Sequence, residues 1–430
     1  MLIAFQYGDD MERNSRISGF HKLSPEERIE KVREFASLSD GDTDALKNTG
    51  SLDLDTAGRM IENVIGTMEF PFGVATNFRI NEKDYLVPMV IEEPSVVAAA
   101  SNAAKMARPG GGFQAETDEP VMIGQIQLVG VPDIDAARKE ILGRKKEIIE
   151  LCDHQDSTLV RFGGGCRDVE VREIESKNGS MLVVHIMVDV RDAMGANAIN
   201  TMAEKITPLL EKVSGGSARL RIISNLATTR LARSRTVWKK DVLGEDTIKR
   251  ILDAYTFACA DQYRCTTHNK GIMNGVDAVT IATGNDFRAV EAGAHSFAAF
   301  GKPYTSLTKY EIDVDGNLVG SIELPIAVGT VGGATKTNPV AGVGLRILGA
   351  KNAQELAQVL ASVGLAQNFA ALRALATEGI SRGHMRLHAR NIAINAGAKG
   401  ELADRVAARL IEEGDVSVGN AEKILKGLSD

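Results

Sequence analysis

The chain has 430 residues, of which 44% are hydrophobic and 25% are charged. These values are typical of a folded globular protein and exclude a disordered or fibrous one. At about 150 residues per domain, this length predicts about three folding units. The net charge of −7 argues against a nucleic-acid-binding protein, because such proteins neutralise phosphates with an excess of basic residues. The four cysteines form no C-x-x-C pair and predict neither a disulfide framework nor a zinc knuckle.

No segment of the chain has the pattern of a secretion signal or a membrane span. The first ten residues, MLIAFQYGDD, lack a basic region and soon reach acidic residues, unlike a secretory signal. The longest uncharged run, residues 356–372, contains glutamine, serine and asparagine and falls short of a comfortable span. We interpret it as a buried helix and expect a cytoplasmic protein without a membrane segment.

The N-terminal part of the chain predicts helices followed by short strands. Ser24, Pro25 and Glu27 have the spacing of a capping box with proline at the first helical position, so a helix begins there. Residues 62–92 predict strands and turns, and the small residues of 95–106 predict another helix. The glycines at 110–112 end that helix and predict a hinge.

The most regular hydrophobic pattern follows, with strand alternation and helical spacing in turn. It predicts a strand, a helix, two strands, a helix and a strand, over residues 125–128, 134–152, 169–171, 182–190, 192–213 and 219–222. This order is β-α-β-β-α-β, which is typical of a ferredoxin-like unit. We interpret the unit as an insertion into a larger domain.

The predicted fold class is therefore α/β (α+β). Residues 1–118 and 226–378 are expected to form a large mixed helical and sheet domain. Residues 119–225 are expected to form the inserted ferredoxin-like domain. Residues 379–430 are expected to form a C-terminal helical flap.

Known nucleotide and metal motifs match only in part. No G-x-G-x-x-G follows a strand, and the loop GTVGGATKT at 329–337 has no glycine before Lys336, which a P-loop requires. His384 and His388 are spaced to share one helical face, as in zinc proteases, but Met385 stands where that motif has glutamate. A metal-dependent hydrolase that uses the two histidines is thus one alternative function.

Several charged residues stand in unusual surroundings. Lys270 lies among glycines and amides, and Asp286 follows Thr-Gly-Asn. Each residue alone is typical of a surface charge. Together they suggest a buried cation with a carboxylate partner. Glu93 lies just before the predicted helix at 95–106. The plain explanation for a carboxylate at this position is that it stabilises the start of the helix. Residues 228–240 contain five basic residues and no acid, so this stretch is either a phosphate-binding patch or a solvated face. A non-catalytic module that binds coenzyme A or nucleotides is therefore a second alternative.

Seven motifs in order carry a resemblance to one family: ENVIG at 62–66, EPS at 93–95, DAMGAN at 192–197, HNKGIMNG at 268–275, TGND at 283–286, VGGATKT at 331–337 and GHM at 383–385. The chain resembles the 3-hydroxy-3-methylglutaryl-coenzyme A (HMG-CoA) reductases, and most closely their class II, mainly prokaryotic branch. The resemblance runs from about Ser15 to the C-terminal helices and leaves out the first dozen residues.

The resemblance implies a four-electron reduction of HMG-CoA to mevalonate and coenzyme A with two reduced nicotinamides and no metal. It implies four catalytic residues. Lys270 would stabilise the oxyanion, and Asp286 would keep that lysine charged. Glu93 would donate a proton to the product alkoxide, and His384, on a mobile C-terminal flap, would protonate the departing thiolate.

The resemblance also implies contacts with both ligands. The nicotinamide cofactor is expected at the inserted domain, at Asp156, Asp192, Met194, Gly195, Asn197 and Asn225. The acyl-CoA is expected at Ser95, Arg264, Asn274 and Asn368. Asp156 would face the adenine ribose and repel a 2′-phosphate, so NADH is favoured over NADPH. The family implies a homodimer with shared active sites, with residues 62–66 near the interface, and in its branch a higher oligomer.

Overall fold

The computed structural model describes residues 13–377, 379 and 389–429. Two short 3₁₀ helices lie at Phe20–Lys22 and Arg108–Gly110. The strands are β1 Phe72–Ile80, β2 Lys83–Val90, β3 Phe113–Thr117, β4 Val121–Val129, β5 Gly165–Ile174, β6 Met181–Asp189, β7 Ser217–Ser224, β8 Leu231–Trp238, β9 Thr308–Ile312 and β10 Leu318–Pro325. The α-helices are α1 Pro25–Ala36, α2 Asp40–Lys47, α3 Leu54–Met60, α4 Val96–Ala107, α5 Ile134–Gly143, α6 Lys145–Asp153, α7 Ser157–Arg161, α8 Ala196–Ser214, α9 Lys240–Leu243, α10 Glu245–Ala260, α11 Gln262–Ala282, α12 Phe287–Ala298, α13 Ala334–Thr337, α14 Pro339–Leu348, α15 Ala353–Ala376, α16 Glu401–Glu413 and α17 Val418–Ser429.

The first helix begins where its sequence signals predict. The Ser24 hydroxyl accepts a hydrogen bond from the Glu27 backbone N–H, and the Glu27 carboxylate accepts one from the Ser24 N–H. Both groups would otherwise lack partners at the helix start, so the reciprocal pair fixes the first turn. The predicted capping box is confirmed.

A six-stranded sheet in the order β2-β1-β3-β8-β10-β9 forms one wall of the larger core. Its strand pairs are antiparallel except β1 with β3. Helix α15 packs against this sheet, and Phe369 from α15 stacks on Trp238 from β8 with 3.8 Å between ring centroids. Fully buried aromatic rings make the largest single contributions to such a core.

Helix α15 explains the long uncharged run in the sequence. Within the described ranges it is the one helix long and apolar enough to cross a membrane by length and composition, with a mean hydropathy of 1.4. However, 67% of that window is buried inside the structure, against α4, α10, α11 and the sheet. The prediction of a buried helix is therefore confirmed.

A second, four-stranded antiparallel sheet has the order β5-β6-β4-β7. Helices α5, α6 and α8 pack on it and share its buried core of Ile, Val, Leu and Met. If α5 to α7 are counted as one connection, the elements run β-α-β-β-α-β, in the order that the hydrophobic pattern predicts. The fold class, with two sheets covered by helices, is confirmed, and the exact domain boundaries stay predictions.

Two of the glycines at 110–112, where a hinge is predicted, pack closely against the sheet. A Cβ atom on Gly110 would clash with the Val237 carbonyl oxygen, and one on Gly112 would clash with the Arg79 carbonyl oxygen. Gly112 also has a φ of 83°, which L-residues rarely adopt. Gly110 and Gly112 thus allow the segment after α4 to pack closely against β8 and β1, and the hinge stays a prediction.

The C-terminal helices have a small core of their own. Residues 389–395 are helical, and with α16 and α17 they enclose alanines together with Val406 and Leu410. Arg390 pairs with Asp404 across this group at 2.7 Å. The predicted catalytic His384 and the possible metal ligand His388 lie outside the described residues.

Candidate active site

Two predicted catalytic side chains meet at the N-terminal side of α4. Glu93 lies in the segment between β2 and α4, and Lys270 lies in the middle of α11. The Lys270 ammonium donates to Glu93 Oε2 at 3.1 Å. Asn274, one helical turn after Lys270, places its amide nitrogen 3.5 Å from the same oxygen. The carboxylate therefore faces a cation and an amide on one face of α11.

The backbone that carries Glu93 is held in an uncommon conformation. Ser95 has a φ of 75°, and its hydroxyl does not cap α4, although serine is a preferred capping residue. A left-handed non-glycine residue costs about 1–2 kcal/mol and persists only where the surrounding structure imposes it. The helix that follows Ser95 is anchored by a buried face, and the Ser95 hydroxyl stays available for a ligand.

Lys270 is not buried in this chain, contrary to the expectation of a buried cation. Its side chain is 58% exposed, and that of Glu93 is 34% exposed. The lysine thus reaches its carboxylate partner at the surface and not inside the core. An exposed pair of this kind contributes little to stability, typically about 0–1 kcal/mol.

Asp286 was predicted to pair with Lys270, but it pairs instead with Arg288, at 3.0 Å. It is the N-cap of α12 and accepts the backbone N–H groups of Arg288 and Ala289. Burial favours a higher pKa for Asp286, and the hydrogen bonds from Arg288 and Ala289 outweigh it and lower the pKa below its usual value. In this chain Asp286 is therefore an ionised helix cap at the start of α12.

Asn368, predicted to contact the substrate, lies in the core instead and is 1% exposed. Its side-chain oxygen accepts the hydroxyl hydrogens of Thr308 and Tyr310, and its nitrogen faces His268. Burial lowers the pKa of His268 to about 3, so the imidazole is neutral. Because the amide is occupied within the protein, Asn368 stabilises this buried polar group in the described conformation.

The other predicted substrate contact, Arg264, lies in the first turn of α11. Its backbone N–H is capped by Asp261, and its side chain is half-buried. Lys270 and Asn274 lie further along the same helix, so α11 carries three of the predicted ligand contacts. This helix is therefore the main scaffold of the candidate site.

Four predicted cofactor residues lie at the start of α8. Gly195 has a φ of 103° and no side chain caps the helix, so its first N–H groups can meet an anion. Asn197 is exposed, and Met194 lies in the turn before the helix. Asp192 is engaged elsewhere, because its carboxylate accepts the Ala353 N–H at the start of α15 at 2.9 Å.

The remaining cofactor candidates lie on the same sheet unit. Asp156 caps α7 with one oxygen, which accepts the Leu159 N–H at 2.8 Å. Arg161, at the end of α7, lies over the Phe162 ring. Asn225 is exposed directly after β7, where its carbonyl packs against Gly293 of α12. Of these positions, Asn225 lies where the unit meets α12 of the larger core.

Two arginines of the basic stretch at 228–240 are engaged within the protein. Arg230 is 5% exposed and donates to the carbonyls of Ala193 and Val328 at 3.2 and 2.5 Å. Burial lowers the pKa of this guanidinium to about 10. Arg233 pairs with Asp118 and Glu323. These two arginines join parts of the structure to each other, and a phosphate contact by the other basic residues of the stretch stays a prediction.

A groove of about 840 Å³ lies between α1, β1 and α4, and its floor includes Val97 and Ala98, just after Ser95. Four basic residues line it: Arg16, His21, Arg28 and Lys105. Apolar side chains such as Ile17 and Phe20 form the opposite wall. The sequence alone does not reveal this groove, because only the fold brings Lys105 of α4 beside the N-terminal basic residues.

A larger groove of about 1240 Å³ lies on the polar face of the six-stranded sheet. Its lining contains none of the predicted catalytic, cofactor or substrate residues, but it includes Arg233 and Arg235 of the basic stretch. In the part of the chain that the structure describes, no group of three or more His, Cys, Asp or Glu side chains is placed to hold a metal.

A family model for hydroxymethylglutaryl-coenzyme A reductase matches residues 24–389. This range contains both sheets and the Glu93–Lys270 pair. The chain belongs to the hydroxymethylglutaryl-coenzyme A reductase family. The resemblance predicted from the seven motifs is thereby confirmed.

Relatives of this reductase family cover nearly the whole chain. It is 59% identical to the 3-hydroxy-3-methylglutaryl-coenzyme A reductase of Archaeoglobus fulgidus over 416 residues, which is 96% of this chain and 95% of that protein. It is 35% identical to a probable reductase of Borreliella burgdorferi over 87% of this chain and 85% of that protein.

Solved reductase structures share the fold. The enzyme of Streptococcus pneumoniae superimposes with a TM-score of 0.81 at 40% identity, over 96% of this chain and 99% of that one. A class II structure of the enzyme from the same organism, bound to NADPH in open conformations, gives a TM-score of 0.80 at 40% identity, over 95% of this chain and 100% of that one. The predicted class II branch is confirmed by these matches.

Proposed function

We propose that this chain reduces HMG-CoA to mevalonate and free coenzyme A with two reduced nicotinamides. The observation that carries the proposal is the Glu93–Lys270–Asn274 cluster, on a fold shared with reductases along nearly the whole chain. A cation beside a carboxylic acid and an amide can bind a carbonyl oxygen and supply a proton to it.

The residues at α8 fit a dinucleotide. The helix has 19 residues and no side-chain cap, so its N-terminus offers unpaired N–H groups to a pyrophosphate. Met194, Gly195 and Asn197 would line this contact, with Asp156 at the ribose and Asn225 nearby. Asp192 would act by holding the turn against α15, since its carboxylate caps Ala353. When bound, the nicotinamide supplies hydride to the substrate carbonyl carbon, once for each reduction.

Lys270 would stabilise the charge that forms on the substrate oxygen in both reductions. The first reduction converts the thioester to a hemithioacetal, whose C–S bond breaks to give an aldehyde and the thiolate of coenzyme A. The second converts the aldehyde to an alkoxide. Because Lys270 is 58% exposed, substrate can reach its ammonium directly, and Asn274 would orient the same oxygen.

The proton donors would act on different atoms. Glu93, within hydrogen-bond distance of Lys270, would protonate the alkoxide and so release mevalonate. His384 would protonate the thiolate, which makes its departure irreversible. Asp286, which caps α12 in this chain, would contribute its negative charge to the site. Ser95 and Arg264 would contact the acyl-CoA.

The basic groove beside α4 would hold coenzyme A. Its four basic residues suit the phosphates, its apolar wall suits the pantetheine chain, and its lining includes Val97 and Ala98 of α4, the helix that follows Ser95. In this arrangement residues 1–118 and 226–378 form the acyl-CoA domain, residues 119–225 form the nicotinamide domain and residues 379–430 form a flap that closes over the substrate.

NADH is the proposed preferred cofactor. Only one oxygen of Asp156 is used to cap α7, so the carboxylate keeps capacity for two ribose hydroxyls and would repel a 2′-phosphate. Arg161 lies on the same short helix but packs over Phe162.

A homodimer is the proposed assembly, with a higher oligomer built from it. The segment that contains ENVIG exposes large apolar side chains, with Ile65 100% exposed, Met68 82% and Ile61 65%. Such a cluster is expected to be covered by another subunit. All four cysteines are free thiols, which agrees with the proposed cytoplasmic location.

The function is tested by following nicotinamide absorbance after HMG-CoA is added to the purified protein. Wild-type protein should oxidise NADH steadily, and Lys270→Ala should lose at least about a thousandfold of that rate, since the oxyanion loses its main charge partner. Lys309→Ala, which removes another exposed, paired lysine, is the matched control and should keep the wild-type rate. Absence of turnover in wild-type protein with either nicotinamide would exclude the proposal.

A further inference from the structure

We propose that Arg191 is a positioning residue for the nicotinamide cofactor: its guanidinium bridges the turn before α8 and the glycine turn after α7, and so fixes the spacing of two segments that contact the dinucleotide. This inference rests on the proposed function, which places the cofactor at these segments. Arg191 lies directly before the DAMGAN motif and is not among the predicted cofactor contacts.

Arg191 has a backbone conformation that favours glycine. It lies between β6 and α8, and its φ is 50°. A left-handed non-glycine residue persists only where the surrounding structure imposes it, and such residues cluster at functional sites. Its backbone N–H donates to Asp189 Oδ1 at 3.0 Å, and its guanidinium lies 2.7 Å from Asp189 Oδ2. Backbone and side chain thus close the turn on one carboxylate, and a glycine could make only the first of these contacts.

Asp189 is the buried anchor of this turn. It is 0% exposed, and Arg167 of β5 also donates to its Oδ2, at 2.9 Å. A buried carboxylate is costly unless it is paired and hydrogen-bonded, so the two arginines account for its place in the core. Asp189 ends β6 and lies opposite Val121 of β4 and Gly165 of β5. The turn before α8 is therefore tied to the centre of the sheet.

The same guanidinium reaches the glycine turn after α7. Arg191 Nη2 donates to the Gly163 carbonyl oxygen at 2.5 Å, although 28 positions separate the two residues. Gly163 is joined to α7, because its N–H donates to the Val160 carbonyl oxygen at 2.9 Å. Asp156 caps the start of this five-residue helix. The proposed ribose contact and the Arg191 contact are therefore the two ends of one short helix.

On its other side, Arg191 leads into the proposed pyrophosphate contact. Gly195 is the N-cap of α8, and a Cβ atom on it would lie 2.5 Å from a methyl carbon of Val190. This close packing joins the start of α8 to the turn that Arg191 anchors. One side chain thus couples the ribose contact at Asp156 to the pyrophosphate contact at α8. A ligand that spans both contacts binds more tightly when their spacing is already set.

The test compares Arg191→Met with wild-type protein in cofactor binding and in turnover. The dissociation constants of NADH and NADPH, measured by calorimetry without substrate, should rise about three- to tenfold, since the two contacts must then be ordered during binding. The KM for NADH should rise by the same factor. At saturating NADH, kcat and the KM for HMG-CoA should stay within about twofold of wild type, because the loss concerns cofactor binding alone. A lowered kcat with an unchanged KM for NADH would overturn the inference.

Arg138→Met is the matched control. Arg138 belongs to the same sheet unit and is also half-buried, but its partners, Asp135 and Glu173, lie outside both turns. This variant should bind NADH as wild-type protein does.

A second variant keeps the inference testable if Arg191→Met does not fold. Arg191→Gly also lacks the guanidinium, and glycine adopts a φ of 50° without strain, so it should fold and show the same rise in the dissociation constants. Wild-type dissociation constants in a folded variant would overturn the inference. Turnover of wild-type protein tests the proposed function separately, because cofactor binding requires no reaction.

Discussion

Glu93 Oε2 lies 3.1 Å from Lys270 Nζ although the two residues are 177 positions apart in the chain. The contact depends on α4 and α11 both packing against the central helix α15. The left-handed Ser95 then turns the chain so that Glu93 precedes α4 on the side of Lys270. A reactive pair is thus held by the rigid core, which is how enzymes keep catalytic groups in register.

Ser95→Gly and Ser95→Ala should distinguish the role of the Ser95 hydroxyl from that of its backbone conformation. Both remove the hydroxyl, so both should raise the KM for HMG-CoA about three- to tenfold, the usual value of one hydrogen bond. Glycine accepts a φ of 75° without strain, whereas alanine does not. The alanine variant should therefore be about 1 kcal/mol less stable than the glycine variant. Denaturant unfolding of both proteins, with steady-state kinetics, checks this; equal stabilities would contradict the strain.

Asp277→Asn should change how stability depends on pH. The folded state raises the pKa of Asp277 from 3.8 to about 9, so unfolding releases a proton between those values. The free energy of unfolding of the wild type therefore falls as pH rises through this window, by an amount of order a few kcal/mol. The variant lacks this proton. The free energy of unfolding of the variant, relative to that of the wild type, should therefore increase from pH 5 to pH 9.

Melting temperatures at pH 5, 7 and 9 measure this difference. Asp246→Asn, which removes an exposed carboxylate on α10, is the control and should follow the wild type at every pH. A constant difference between Asp277→Asn and the wild type would show that Asp277 is ionised in the fold.

Asp156→Asn should weaken the preference for NADH. Asparagine caps a helix as well as aspartate does, so α7 should stay intact while the negative charge is lost. The ratio of kcat/KM for NADH to that for NADPH should fall at least about tenfold, since a 2′-phosphate is no longer repelled. Asp133→Asn, a matched change at the cap of α5, should leave the ratio unchanged. A wild-type preference for NADPH would contradict the role of Asp156.

Arg230→Met should destabilise the fold much more than Arg233→Met. Arg230 is 5% exposed and is the donor for backbone carbonyls of two separate segments. Its loss leaves buried acceptors unpaired and should cost about 3 kcal/mol. Arg233 is part of an exposed ion-pair group, whose loss should cost less than about 1 kcal/mol. Chemical denaturation of both variants compares the two, and equal losses would contradict the structural role of Arg230.

The order of elements could be predicted because local patterns report it. Alternation and helical spacing identified the β-α-β-β-α-β order, and the Ser24–Glu27 spacing identified the start of α1. The same local view could not foresee that Gly110 and Gly112 pack closely against Val237 and Arg79, because a glycine needed for close packing has the same sequence signature as a hinge.

Contacts between distant segments could not be predicted in this way. The spacing of Lys270 and Asn274 shows that they share a helical face, but it does not show which carboxylate meets them. The expected partner, Asp286, caps α12 instead, and Glu93 makes the contact.

The stoichiometry of the reaction tests the central claim most directly. Nicotinamide oxidation and free coenzyme A thiol should be measured in the same sample, with HMG-CoA limiting and NADH in excess. The account predicts two NADH oxidised for each thiol released, and neither signal above background for Lys270→Ala. Thiol release without NADH oxidation would indicate a hydrolase and would contradict the account.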